Sequence, residues 1–210
     1  MEPHQRISEV NRMQASKRAI AILVCLAGLA SLRLFAQELP DLPRLFQQLQ
    51  IVQTTDHAAQ QFLRLAKSDP KVKNYLIVQL PPMIEKDPKD SPRPWRNAVR
   101  LADDLKIIEA APSLVKWIGL STGGTISLAQ VDRLDYSPAG KALVHLGDPA
   151  VPALAGVLAH GSPPERVQAV RILDLIGSAR AKSALREHVE SESDPDLRQY
   201  IEKILNIVMP

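Results

Sequence analysis

The sequence predicts an all-α chain, an α-solenoid of stacked antiparallel helix pairs. Three observations predict it. An apolar face with the helical spacing i, i+3, i+4, i+7 recurs along the chain. It recurs in two interleaved sets at near-constant steps, which is the signature of a repeat architecture. No segment alternates with period two for long; Thr125-Ile126-Ser127-Leu128 is the only strand-like stretch.

The elements follow in order. Residues 1–18 are polar and end in Lys17-Arg18, and an apolar run from Ala19 to Leu32 follows, stopped by Arg33. Fourteen residues are too few to cross a bilayer as a helix, which takes about 20. A basic stretch followed by such a run fits a secretory signal, with cleavage expected after Ala30 or Ala36. An uncleaved anchor formed by residues 19–32 and a buried helix are the alternatives. Cys25 lies within the run behind Ile22-Leu23-Val24, which is unlike a lipoprotein box. If the leader is removed, the mature chain has no thiol, because Cys25 is the only cysteine.

Residues 37–94 read as an N-terminal helical cap and an irregular repeat. Residues 37–54 are expected to form a capping helix or to stay loose. Ala59, Phe62, Leu63 and Ala66 give one face; Val72, Tyr75 and Leu76 give the next, with Leu80 expected to close that helix and Pro81-Pro82 to stop or kink it. Lys86–Pro94, with three prolines, reads as a connector.

Residues 95–210 carry the clearer repeat. The first set of faces (A) is Ala98-Leu101-Ala102-Leu105, Ala139-Ala142-Leu143-Leu146, Ala169-Ile172-Leu173-Ile176 and Ile201-Ile204-Leu205-Val208. The second (B) is Ala111-Leu114-Val115-Ile118, Val151-Leu154-Ala155-Leu158 and Ala181-Ala184-Leu185-His188. Steps from A to B are 13, 12 and 12 residues; steps from A to A are 41, 30 and 32. Capping chemistry agrees with these boundaries. Gly147 and Gly177 suit helix ends. Asp148-Pro149 is expected to open a B helix, and Ser162-Pro163 and Asp194-Pro195 to open A helices. Pro112 and Pro152 fall in first turns, where they break little. The long first step leaves about ten extra residues, an insertion over 120–136.

Leu143-Val144-His145-Leu146-Gly147-Asp148-Pro149-Ala150-Val151-Pro152-Ala153-Leu154 resembles the joint of a HEAT-like repeat of the short, phycobilisome-lyase type. Leu173-Asp174-Leu175-Ile176-Gly177 repeats its first half, and Ile108–Leu114 its second. The resemblance covers residues 137–190 best, then 95–119 and 194–208. It implies stacked helix pairs. Such repeats serve as scaffolds, adaptors and lyase frameworks, so it says less about activity. Metal-dependent hydroxylases of this class carry His-Glu pairs; this chain has no His-Glu dipeptide.

Charge and motifs narrow the function. The formal net charge is +3. All of it sits in residues 1–36, and the remainder is balanced, so the body offers no electrostatic footprint for nucleic acid. With 45% hydrophobic residues and one Cys, the composition excludes a disordered chain, a multi-span membrane protein and a disulfide scaffold. Gly119-Leu120-Ser121-Thr122-Gly123 matches the nucleophile elbow G-x-S-x-G, and Asp132, Asp135 and His145 follow in hydrolase order. That chemistry needs a strand-to-helix turn in a parallel sheet. Here the motif follows a helix, so a helix end and a small-residue turn are expected instead. A phosphate cradle at Ser121–Thr125 lacks its Lys. His57, His145, His160 and His188 do not have metal-ligand spacing, and His188 is expected to be half-buried near a helix end. No catalytic, metal or cofactor residue is therefore assigned.

An inserted edge loop is where a solenoid commonly carries binding. Asp132, Arg133 and Tyr136, with Trp117 at the base, are the candidate partner contacts; the alternative is that Ile126, Leu128, Val131 and Leu134 fold back over the solenoid edge. Trp95 is expected to be a core residue. The function these features suggest is an exported, non-catalytic scaffold or adaptor that binds another protein. An accessory or lyase-type chaperone holding a cofactor or client is the alternative, and a serine hydrolase using Ser121 ranks below both.

Overall fold

The computed structural model describes residues 41–120 and 137–206. The leader, the strand-like Thr125–Leu128, Ser121, Asp132, Arg133, Asp135, Tyr136 and Val208 lie outside the described residues. The described residues form ten α-helices and three short 3-10 turns, with no strand among them.

The first helix, α1 (Leu42–Gln50), buries Leu45, Phe46 and Leu49, so of the two outcomes expected for 37–54 a helix is found over these residues. α2 (Thr55–Ser68) buries Ala58, Ala59 and Phe62. α3 (Pro70–Ile84) opens on Asp69, whose carboxylate accepts from the Lys71 N–H at 2.8 Å. The three aromatic rings of this region pack together. Phe46 meets Phe62 and Tyr75 edge-on at 6.4 and 6.1 Å between ring centres, and Phe62 stacks on Tyr75 at 6.4 Å.

One expectation fails in α3. Leu80 does not close the helix, and Pro81-Pro82 do not stop it; both prolines lie within it and it runs on to Ile84. The physical reason is packing. Val72, Leu76, Leu80, Met83 and Ile84 continue one buried stripe past the prolines. Burial of the last two outweighs the hydrogen bonds the prolines cannot make.

α4 (Pro92–Asp104) follows and buries Trp95, Ala98, Leu101 and Ala102. It ends in a Schellman-type turn. The Ile107 N–H reaches the Ala102 carbonyl at 2.9 Å and the Lys106 N–H reaches the Asp103 carbonyl at 3.1 Å. The left-handed position is Lys106, with φ 52°, where glycine is usual.

The first B helix is shorter than its apolar pattern predicts. A 3-10 turn (Ile108–Ala110), the single-turn α5 (Ala111–Leu114) and a second 3-10 turn (Val115–Trp117) replace one continuous helix. The face survives the tightening, with Ala111, Leu114 and Ile118 buried.

The second pair is α6 (Pro138–Leu146), a 3-10 turn (Asp148–Ala150) and α7 (Val151–His160). Gly147 turns the chain with φ 70° and ψ −139°, and the helical segments on its two sides are bent by 114°. Asp148 does not cap the B helix as expected. It lies inside the 3-10 turn and its side chain makes no capping bond; the Ala150 N–H goes to the Gly147 carbonyl at 2.8 Å. The turn's backbone satisfies the group that Asp148 would have served.

α8 (Pro163–Ile176) starts where Ser162 predicts. The Glu165 carboxylate accepts from the Ser162 N–H and from its hydroxyl, each at 2.7 Å. The helix ends at the left-handed Gly177. α9 (Ala179–Val189) is capped by Ser178, whose Oγ accepts from the Ala181 N–H. α10 (Pro195–Leu205) is capped by Asp194, which accepts from the Asp196 and Leu197 N–H groups.

Packing follows chain order in two series. α2 packs on α4, α4 on α6, α6 on α8 and α8 on α10. α3 packs on α5, the Val115–Trp117 turn on α7 and α7 on α9. Helices consecutive in the chain also pack, α2 on α3, α7 on α8, α8 on α9 and α9 on α10. α3 and α4 pack across the proline-rich connector. Leu42 onward belongs to one packed unit.

Candidate functional site

Three polar clusters tie neighbouring helices together. Between α2 and α4, the buried Asn97 donates to Thr55 Oγ1 at 3.0 Å and to Asp56 Oδ1 at 2.8 Å. Arg93 pairs with the same carboxylate. The Asn97 bond, then the Arg93 bond, hold the Asp56 carboxyl below its ordinary range.

The second cluster sits where α9 turns into α10. Glu192 is 1% exposed. Its carboxylate accepts from Arg166 Nε and Nη2 at 3.0 and 2.8 Å, from the Asp194 N–H at 2.9 Å, and lies 2.8 Å from His188 Nε2. Burial alone would raise its pKa. The Arg166 guanidinium, the Asp194 amide and His188 outweigh burial and hold it at about 2. His188 is thus half-buried at a helix end, as its position predicts, and its partner is the carboxylate one turn on.

The third cluster borders an open groove between α4 and α6, with a volume of about 520 Å³. Its lining follows from helical spacing. The core stripe of α4 leaves Arg96 and Arg100, one turn apart, pointing to solvent, and α6 does the same with Lys141 and His145. At one end, Asp103 fastens the two helices. Its oxygens lie 3.1 and 2.9 Å from His145 Nδ1, and Lys106 Nζ donates to Oδ1 at 3.1 Å and to the His145 carbonyl at 3.2 Å. Lys106 enters this cluster from a left-handed backbone, with φ 52°. That conformation costs about 1–2 kcal/mol for an L-residue other than Gly.

The charges in the groove are unequally paired. Asp103 is taken by His145 and Lys106. Among the described residues, Arg96 and Lys141 pair with no carboxylate. Arg100 acts at longer range on Asp56, whose oxygens already hold Asn97 and Arg93. Asp104 is the other carboxylate in the lining. Val99 and Pro138 supply its apolar part.

The residues singled out from sequence are distributed differently. Trp117 is half-buried, donates its indole N–H to the Ile84 carbonyl at 2.8 Å and meets Trp95 edge-on at 6.4 Å. Trp95 is buried, as expected, and donates to the same carbonyl at 2.9 Å. Two indoles thus cap the last turn of α3, whose terminal carbonyls lack intrahelical partners. Asp132, Arg133 and Tyr136 lie outside the described residues, as does Ser121. His145 finds its carboxylate on α4, in Asp103. The pairing of Asp103 with His145 was not visible in the sequence because it spans 42 residues. Its trace is that both are polar residues on successive A helices. Among the described residues no group of three or more His, Cys, Asp or Glu is placed to hold a metal ion.

No protein-family model matches the chain. Neither the curated proteins nor the solved structures give a match.

Proposed function

We propose that this chain is an exported, HEAT-like α-solenoid that binds another protein without catalysing a reaction. The observation that carries the reading is the groove between α4 and α6. It is open, it is lined by side chains from successive A helices, and among the described residues Arg96 and Lys141 of its lining pair with no carboxylate. Protein–protein recognition on helical repeats uses such inter-helix surfaces. The order of packing, A helix on A helix and B on B, supports the solenoid. The resemblance at residues 143–154 points the same way, and the basic leader followed by the run Ala19–Leu32 supports export.

The partner is tested by site-specific photo-crosslinking in the cells that make the protein. A photoreactive residue is placed at Lys141, in the groove, and at Arg180, on the exposed side of α9. A discrete protein adduct at 141 and none at 180 is the expected result. No adduct at 141 would remove the groove as a partner surface. Export is tested by N-terminal sequencing of the natural product: a start between Ser31 and Glu38 is expected, and an intact Met1 in a cytoplasmic pool would overturn it.

A further inference from the structure

We infer that the groove between α4 and α6 takes an extended acidic peptide segment of the partner, recognised through its carboxylates by Arg96, Arg100 and Lys141. The inference rests on the protein-binding reading above and gives that partner a chemistry.

Charge is the first argument. Among the described residues, Arg96, Arg100, Lys106 and Lys141 line the groove against two carboxylates, Asp103 and Asp104. Asp103 is already ion-paired with Lys106 and lies 2.9 Å from His145 Nδ1. Arg96, Arg100 and Lys141 are exposed, and among the described residues none of the three forms an ion pair, so they can meet an incoming anion. Arg presents a planar fork that matches a carboxylate, and Lys a point charge.

Placement decides among anions. The cations stand on two walls, Arg96 and Arg100 on α4 and Lys141 on α6. That suits single negative charges spaced along a chain better than one phosphate dianion, which calls for converging donors. Among the described residues no Phe, Tyr or Trp lines the groove, so it lacks the large aromatic rings on which successive bases stack. The volume of about 520 Å³ leaves room for a few side chains, and the site is a trough, not a closed pocket.

Lys106 is the second argument. A lysine holds a position that glycine would fill without strain. Its side chain pairs with Asp103 and bonds the His145 carbonyl, which offsets a charge that would otherwise repel an acidic ligand. Strained backbone held in this way is common where a side chain must be aimed.

The test is fluorescence anisotropy of the full chain with a labelled peptide of about ten residues alternating Glu and Gly, beside its Gln-Gly counterpart. The Glu peptide should bind and the Gln peptide should not, and raising salt from about 50 to about 300 mM should weaken binding several-fold. Arg100→Ala and Lys141→Ala should each weaken it about tenfold, while Lys182→Ala on α9 should not. Each variant is melted first; the substituted side chains are exposed, so the fold should persist. Equal weakening by Lys182→Ala, or none by Arg100→Ala, would overturn the inference. So would tighter binding of a phosphoserine peptide or of a single-stranded oligonucleotide. A partner adduct at position 141 without Glu-peptide binding removes the acidic chemistry and leaves the protein-binding reading. Peptide binding without any adduct does the reverse.

Discussion

At the scale of single residues, the structure concentrates polar groups where helices meet, and each cluster makes a measurable claim. The Ile84 carbonyl accepts from two indoles, Trp95 and Trp117. Removing one N–H leaves the carbonyl satisfied by the other; removing both leaves it orphaned. Trp95→Phe and Trp117→Phe should therefore each cost about 1 kcal/mol in chemical denaturation, and the double variant should cost more than their sum. Strict additivity would mean the shared acceptor contributes nothing. Glu192 makes a claim about acid. Its carboxyl is held at about 2 against an ordinary 4.5. A lowered folded-state pKa stabilises the fold above the ordinary value, and that stabilisation is lost as pH falls from about 4.5 through about 2. The contribution is about 3 kcal/mol. Asp56 and Glu165, also lowered, act in the same direction. Wild type and Glu192→Gln should therefore be compared by urea midpoint at each pH. The gap between them should narrow below about pH 4. A gap that stays constant down to pH 2 would show that Glu192 titrates normally.

At the scale of helices, two glycines separate backbone from packing. Gly147 has φ 70° and ψ −139°, and a Cβ there would meet nothing within 4 Å. Gly147→Ala should still destabilise by about 1–3 kcal/mol, because the cost lies in the backbone conformation. Gly156 lies exposed within α7, also with nothing near its would-be Cβ. Gly156→Ala should stabilise by about 0.5–1 kcal/mol, since alanine loses less freedom in a helix. Opposite signs from the same substitution, read by thermal melting, check both assignments. This scale was also the most legible in the sequence. Ala139, Ala142, Leu143 and Leu146, and the matching sets in α4 and α8, were set by a spacing that packing then used. What escaped was local and long-range. Pro81-Pro82 were read by their broken hydrogen bonds, while burial of Met83 and Ile84 beyond them decided the helix end. Asp148 was read as a cap, while backbone did the capping. The groove pairing of Asp103 with His145 depends on which faces two helices present to each other, and no one-dimensional spacing carries that.

At the scale of the molecule, contacts link each helix to its neighbours along the chain, so loss at one position should spread. Leu173 is fully buried on α8. Leu173→Ala should cost about 2–5 kcal/mol. Far-UV circular dichroism of the full chain should read as helix; a cost under about half a kcal/mol, or a substantial strand signal, would count against the assigned core. One detail makes this scale observable. The chain has two tryptophans, and both touch the carbonyl that ends α3. Intrinsic fluorescence therefore sees a single joint near the middle of the chain, whereas circular dichroism sees every helix at once. If the stack comes apart helix by helix, the two signals will melt at different temperatures, and their order will tell which end opens first. If they coincide, the packed helices from Leu42 onward behave as one optical and thermal unit.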